Sequence, residues 1–482
     1  MWQSPDRDRR TVRGRTDHRV ALQRLRRAHS HDDRRDRHVA GQSSRGIGTL
    51  RSVIEVHAVS HHPTAPATAD IVIVGAGAAG LMTAITARRE NRAANVVLLD
   101  GAKKPGAKIL VSGGSRCNVT NRVVSERDFW GGRATVVRRV LRAFTADAAA
   151  AFFHDLGVLL HEEADGKLFP DSSRSRDVLN ALLRESEKLG VVLLADHRVL
   201  DVARADGRLR VSTAQTEFQA SAVVLATGGQ SLPKTGSDGF GYVLAQRLGH
   251  SIVTTTPALA PLVLDESTSN HRDLAGVSVD VGLAVWVDGT IETRLQGPLL
   301  WTHVGASGPV AMNASRHWLR AHDAGKRVAI TINFCGSRSF EQVEAEMIAA
   351  SSATPRASVH TLVSRFVPDS VARSILSGLA LDPATLLAHL TRSDRRTIAH
   401  ALVESPLDVV GTRGYNFAEA TAGGVSLDEV DPATMESRIC PGLYVVGEIL
   451  DVDGRIGGFN FQWAWSSGFV AGRALARRAA HK

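Results

Sequence analysis

Apolar and polar positions follow different patterns in successive stretches of the chain. Residues 71–74 (IVIV) are continuously apolar and of strand length, GAGAAG follows at 75–80, and a helix is expected from 81 to about 91. Residues 95–100 (NVVLLD) form the next buried strand. Strand, glycine turn, helix and strand within about 30 residues make the βαβ unit of a parallel sheet covered on both faces. Helix and strand patterns continue to about 250, with a helix at 177–189 and a strand at 222–226. From about 256 the period changes. Val277, Val279, Val281, Leu283, Val285 and Val287 are apolar at every second position and lead into Asp288-Gly289, a favoured hairpin turn. Residues 256–335 therefore read as antiparallel β with one buried face. Helical spacing runs over 337–403, where Asp382-Pro383 is a good helix start. Glycine-rich turns and a strand at 443–446 then return. The simplest organisation is an α/β, doubly wound domain whose C-terminal portion comes back after a long β-plus-helix insertion.

Composition narrows the class. Of 482 residues, 43% are hydrophobic and 22% charged, ordinary globular values that exclude disorder throughout. The net charge of +9 is local: residues 1–51 carry 14 of the 58 Lys and Arg but 6 of the 49 Asp and Glu, which leaves the body within one charge of neutral. A neutral body argues against an extended phosphate-binding surface, so no nucleic-acid partner is expected. Residues 1–66 mix Arg, Asp and His with few apolar positions, as in RRAHSHDDRRDRH. A basic nucleic-acid arm, a disordered tail and upstream sequence from a misplaced start all fit this texture; mixed signs and scarce aromatics favour the last two. The most apolar run, 71–87, is broken by glycines and ends at Arg88-Arg89, so no membrane span is expected. Cys117, Cys335 and Cys440 lie far apart without metal spacing, so the sequence supports neither a metal site nor a disulfide framework, and a cytoplasmic setting is expected.

Gly75, Gly77 and Gly80 spell G-x-G-x-x-G between a strand and a helix, with Ala78 and Ala79 inside the motif and Asp100 following at the end of the next strand. The first glycine permits the tight turn, the second lets backbone approach a pyrophosphate, the third allows close helix–strand packing, and the acid accepts from a ribose hydroxyl. The motif alone does not choose between NAD and FAD. The segment 108–118 places the small residues Ser112, Gly113 and Gly114 beside the cations Lys108 and Arg116, with Cys117 and Asn118 closing it. Such a loop suits phosphate or a flavin edge. Ala226, Thr227, Gly228 and Gly229 end another strand where backbone can approach a cofactor. Gly447 and Glu448 follow the strand at 443–446, and Gly457, Gly458, Phe459, Asn460 and Gln462 open a helix running to about 471, whose N-terminal N–H groups suit an electron-rich acceptor.

These stretches resemble the BaiN/YhiN-type flavoproteins, also called aminoacetone-oxidase-family FAD-binding enzymes. The resemblance runs from 70 to about 471 and rests on KILVSGGSRCNVTN (108–121), GKLFP (166–170), ATGG (226–229), THVGASGP (302–309) and GEILDVDGRIGGFNFQWAWSSG (447–468). It implies FAD as cofactor, contacts to it from the segments above and from Asp453, and a doubly wound Rossmann-like domain carrying an inserted antiparallel β-barrel and a small helical domain. The implied divisions are a leader at 1–66, the FAD domain at 67–252, the barrel at 253–336, helices at 337–403, a return through the barrel at 404–417 and the rest of the FAD domain at 418–482. Two departures stand out: Ser115 where the family usually has glycine, and Arg455-Ile456 where other pairs are usual.

No second G-x-G-x-x-G follows Gly80, so NAD(P)H is expected as a transient donor if it is the donor. The resemblance implies reduction of a C=C bond conjugated to a carbonyl in a small-molecule substrate. An FAD-dependent amine oxidase and an FAD-containing tRNA-modifying or RNA-binding protein are the alternatives. His303 is a candidate proton donor or a histidine that holds a turn, and Cys117 a redox thiol or a small buried hydrophobe. Arg116 is an anion contact or a surface ion pair, and Trp463 and Trp465 stack on a ligand or fill the core.

Overall fold

The computed structural model describes residues 67–267 and 271–480, so the expectations for the leader at 1–66 lie outside the described residues. The strand Ala67–Val74 sits at the centre of the first sheet, parallel to Val96–Leu99 on one side and to Glu217–Leu225 on the other. Val192–Leu194 extends the sheet in parallel beyond Val96–Leu99, and Leu443–Val445 pairs in parallel with the end of Glu217–Leu225. The beginning of Glu217–Leu225 pairs instead with Arg208–Thr213, part of an antiparallel meander with Val199–Ala205 that the sequence pattern did not single out. Ile71, Val72, Ile73 and Leu98 are buried, as continuous apolar runs in a doubly covered parallel sheet require.

The helix Ala78–Glu90 follows the glycine turn, and the C-terminal helix Phe459–Ala480 lies against it. Gly468 and Gly472, one turn apart, make that approach possible. A Cβ on Gly468 would stand 2.6 Å from Ala79 O, and one on Gly472 2.8 Å from Thr83 O. Here the small side chain serves space rather than conformational freedom.

The chain leaves this layer through Ile252–Ala258 and re-enters through Ala420–Val425, which pair as an antiparallel ribbon. Between them stands a second sheet in the order Ser405–Leu407, Val328–Asn333, Ser278–Val287, Thr290–Trp301, Gly305–Ser307, Leu262–Leu264, Val409–Thr412. Asp288 and Gly289 both take positive φ in the expected hairpin. The expected antiparallel β-barrel is seen as an antiparallel sheet without a closing ladder among the described residues. Its two edge strands are joined through the single residue Asp408, so the sheet curls until its ends meet, with no ladder between them among the described residues. The helices of 337–403 pack on this sheet: Val343, Met347, Leu376, Ile398 and Leu402 share one core with Leu283, Val285, Ile330 and Ile332.

One buried ion pair ties the insertion to the nucleotide-binding layer. Asp453 lies on Val452–Gly454, which pairs with Phe129–Gly131, and Arg316 lies on the helix Gly308–Asp323 that covers the second sheet. Arg316 Nε donates to Asp453 Oδ2 at 2.6 Å and Nη2 to Oδ1 at 3.0 Å, with both side chains buried. The guanidinium also lies 4.8 Å from the centre of the Trp130 ring. Removing one partner strands the other charge in the interior, a loss of about 3–5 kcal/mol. Asp453→Ala is accordingly expected to lower the urea midpoint sharply, whereas Asp428→Ala, at an exposed pair with Arg133, leaves it within error.

Candidate cofactor site

The glycine turn lies at the C-terminal end of the parallel strands, where open α/β sheets form their crevice. Gly75 has a φ of +106°, and a Cβ there would meet Ala226 O at 2.5 Å. A Cβ on Gly80 would meet Gly75 O at 1.9 Å, so this glycine lets the helix seat on the turn. A Cβ on Gly77 would meet nothing within 4 Å, because its face opens on the cavity. No side chain caps the helix at Gly77 and its first turn holds no acid, so its N-terminal N–H groups face the crevice free for an anion. Asp100 accepts from Ala76 N–H and from Ala102 N–H, each at 2.8 Å, and so braces the turn. Each carboxylate oxygen keeps a lone pair for a hydroxyl.

The cavity in front of this turn has a volume of about 1310 Å³, beyond the roughly 300–1,000 Å³ of common small-molecule sites. Its wall includes Gly75, Gly77, Ala78, Ala79, Asp100, Lys108, Ser112, Gly113, Arg116, Asn118, Ala226, Thr227, Gly228, Glu448, Gly457, Gly458 and Asn460 among the residues singled out from the sequence. The segment Ala107–Ser115 is helical at first and then breaks: Ser112 is extended, and Gly113 and Gly114 take left-handed backbone. Ser115, with φ +67°, continues that left-handed run. This gives the physical reason for a glycine there. Asn118, with its amide turned to satisfy both ends, donates to Thr120 O and Leu168 O and accepts from Gly458 N–H, joining the loop to the final turn.

Glu448 is the centre of a polar cluster. Its Oε2 receives the Lys108 ammonium, and its Oε1 accepts from Ser231 Oγ at 2.6 Å and from Thr421 N–H at 3.0 Å. Gly229 stands behind the wall, where a Cβ would lie 3.0 Å from Glu448 Oε1. Arg116 borders the cavity, lies 4.1 Å over the Phe169 ring, and forms an ion pair with Glu163 at 2.6 Å. That guanidinium holds the Glu163 carboxyl below the usual carboxylate range.

Several expected contacts lie elsewhere. Gly80, Gly114 and Gly447 do not border the cavity. Gly447 donates its N–H to Ser467 Oγ at 3.0 Å and accepts from Trp463 Nε1 at 3.1 Å. Asp453 is taken by Arg316, and Phe459 is buried against Phe129. Gln462, also buried, accepts from Thr120 Oγ1 at 2.6 Å and donates to Phe144 O at 2.8 Å. Trp463 and Trp465 are core residues. The structure does not bring His303 to the cavity; it is exposed on the turn between Trp301 and Gly305. Cys117 is buried off the wall, and burial pushes its thiol up to about 12, so at neutral pH it is no thiolate. The sequence reading missed the loop at 232–238 and Glu419, Phe417, Leu259 and Pro309 on the insertion side. The dense proline and glycine of PKTGSDGFG (233–241), just after ATGG, was a signal for the first; nothing local marked the others.

An extended dinucleotide fits this wall. The open face at Gly77 and the uncapped helix suit a pyrophosphate, Asp100 keeps acceptor capacity for a ribose, and the crevice continues past Glu448 to the N-terminus of Phe459–Ala480. Losing a charged hydrogen-bond acceptor costs about 1.5–3 kcal/mol, so Glu448→Ala is expected to weaken FAD retention by roughly 10- to 150-fold, read by equilibrium dialysis, with Asp428→Ala unchanged. Ser115→Gly removes a left-handed penalty of about 1–2 kcal/mol, offset in part by unfolded-chain entropy of about 0.5–1 kcal/mol. Its thermal midpoint is expected to rise, and a fall would show that the serine side chain is needed.

The family model for the HI0933-like protein Rossmann domain matches residues 69–474. A ribosomal RNA dihydrouridine synthase of Escherichia coli (strain K12) is 33% identical over 407 residues, covering 84% of this chain and 98% of the relative. A 3-dehydro-bile acid delta(4,6)-reductase of Clostridium scindens is 32% identical over 416 residues, covering 85% and 99%. Among solved structures, an E. coli quinol fumarate reductase aligns with 18% identity and a TM-score of 0.45 over 86% of this chain and 70% of that one. With the glycine turn, the crevice and a match over most of its length, the chain belongs to the HI0933-like Rossmann-domain family of FAD-dependent oxidoreductases.

Proposed function

We propose that the protein is an FAD-dependent reductase that draws on NAD(P)H to saturate a ring C=C bond conjugated to a carbonyl. The observation that carries this reading is the extension of the cavity beyond the dinucleotide crevice, into an end bordered by Leu259, Pro309, Phe417 and Ile456. Such an end suits a planar, largely apolar acceptor. The relatives' names support it from another side: making a dihydrouridine and reducing a dehydro-bile acid both add hydrogen across a ring C=C bond.

In this reading the N–H groups beyond Gly77 hold the pyrophosphate, Asp100 takes the adenosine ribose, and Glu448 with Lys108 meets the sugar-alcohol chain. Bound FAD supplies the hydride chemistry, and the protein's part is to orient the acceptor, exclude water and deliver a proton. With no second glycine motif after Gly80, the nicotinamide is a visitor to the insertion side. A cytoplasmic setting accords with three free, buried cysteines.

The acceptor expected is a small-molecule enone. A uridine of ribosomal RNA is the second reading, favoured by the E. coli relative, and its C5=C6 bond is conjugated to a carbonyl in the same way. The deciding experiment is anaerobic reduction of the FAD-loaded protein by NADH and NADPH, then reoxidation by cyclohexenone, a steroid enone or unmodified ribosomal RNA, with products identified by mass spectrometry. Saturated ketone or dihydrouridine is the expected product and tells the two acceptors apart. Peroxide from an amine under air, with no reduced C=C product, would overturn the reductase reading.

A further inference from the structure

Asp100, Glu163, Asp238, Glu419 and Glu448 are the carboxylates that border the cavity. Four have partners. Asp100 takes two backbone N–H groups, Glu163 pairs with Arg116, Asp238 pairs with Arg198, and Glu448 receives Lys108, Ser231 and Thr421. Glu419 makes no ion pair and no side-chain hydrogen bond among the described residues. Its backbone, in contrast, is fixed. Glu419 N–H donates to Leu259 O at 3.1 Å, its carbonyl accepts from Ser231 Oγ at 3.3 Å, and the next residue, Ala420, pairs with Ala258 in the ribbon. Leu259 holds a φ of +54°, a left-handed backbone that leucine rarely adopts.

The backbone of Glu419 is thus fixed by the ribbon, and its exposed side chain borders the cavity together with Leu259, Pro309, Phe417 and Ile456. A ligand that fills this end would displace water from the carboxyl and take its place as hydrogen-bond partner. The residue is exposed on the cavity, and desolvation by the surrounding wall raises its pKa above the ordinary carboxylate value. Lys108, facing it from Ala107–Ser115, pulls the other way but is itself engaged by Glu448.

We propose that Glu419, as the carboxylic acid, donates the proton that completes reduction of the conjugated acceptor, a role that rests on the reductase reading above. Hydride arriving at the β-carbon leaves an enolate. The enolate's electron pair forms a C–H bond at the α-carbon with the Glu419 proton, the acid's O–H bond breaks, and the carboxylate regains a proton from water at the cavity mouth. Neither His303, away from the cavity, nor Cys117, buried off its wall, is placed for this step.

Glu419→Gln and Glu419→Asp test it in the FAD-loaded protein. Both are expected to keep wild-type FAD content and wild-type bleaching by NAD(P)H. Reoxidation of Glu419→Gln by cyclohexenone should fall by about 10²–10⁴-fold, the usual worth of a general acid, with Glu419→Asp in between. Reoxidation by ferricyanide, which forms no C–H bond, should be unchanged. A second readout uses the FAD-free protein: an infrared band of a protonated carboxyl at neutral pH, shifted in D₂O and absent from Glu419→Gln. Wild-type cyclohexenone turnover in Glu419→Gln, or no such band, overturns the assignment. A wild type inert to every enone and to ribosomal RNA overturns the reductase reading and this role with it; a persisting band would then place the failure in the reading rather than in the state of Glu419.

Discussion

Everything at this site depends on backbone approaching backbone at the end of the parallel strands. The turn at Gly75 lies against Ala226, Gly80 lies against Gly75, and the helix that follows lies against the C-terminal helix through Gly468 and Gly472. A methyl group at any of these positions would stand under 3 Å from a main-chain oxygen. Two segments almost 400 residues apart in sequence thereby come together: one brings an uncapped helix N-terminus, the other Gly457, Gly458 and Asn460. The crevice is the space these contacts leave open.

The insertion completes that space and needs its own anchor. The ribbon of Ile252–Ala258 and Ala420–Val425 carries the chain out and back, and Arg316–Asp453 locks the long helix of the insertion to the strand beside the final turn. The same ribbon sets Leu259 and Glu419 on the cavity. One construction thus fixes both the position of the insertion and the chemistry it contributes, so damage to the buried pair would be felt at the site as well as in stability.

Residues whose role is set by local backbone were legible in the sequence. The glycine turn, Asp100, the parallel strands and the Asp288-Gly289 hairpin follow from spacing and conformational preference, which act over a few residues. Alternation also showed the insertion as antiparallel β followed by helices, and the resemblance added the barrel; whether the edge strands pair depends on curl around Asp408 rather than on any pattern in either strand. Asp453 and Glu419 show the limit most clearly. Both are acids near glycine-rich turns, yet one faces Arg316 and the other faces the cavity, and the distinction is made by elements more than 100 residues away from each. His303 and Cys117 drew attention through their reactive side chains alone; exposure on a turn and complete burial decide their surroundings.

The electrostatics of the crevice follow from this pairing. Lys108, Arg116, Lys167, Arg198 and Lys234 border the cavity, and all but the exposed Lys234 already meet an acid: Glu448, Glu163, Asp165 and Asp238. The fields of the four paired cations are largely cancelled at close range, and the uncapped helix beyond Gly77 offers oriented N–H groups to an anion beside them. Backbone dipoles hold an anion without long side chains that would have to be ordered or moved, and they leave the walls narrow enough to follow an extended dinucleotide. At the far end the logic reverses. Lys108, which faces Glu419, is engaged by Glu448, the wall turns apolar, and desolvation raises the Glu419 pKa above its ordinary value. A crevice that offers oriented backbone N–H groups at one end and a carboxyl of raised pKa at the other is chemically polarised along its length.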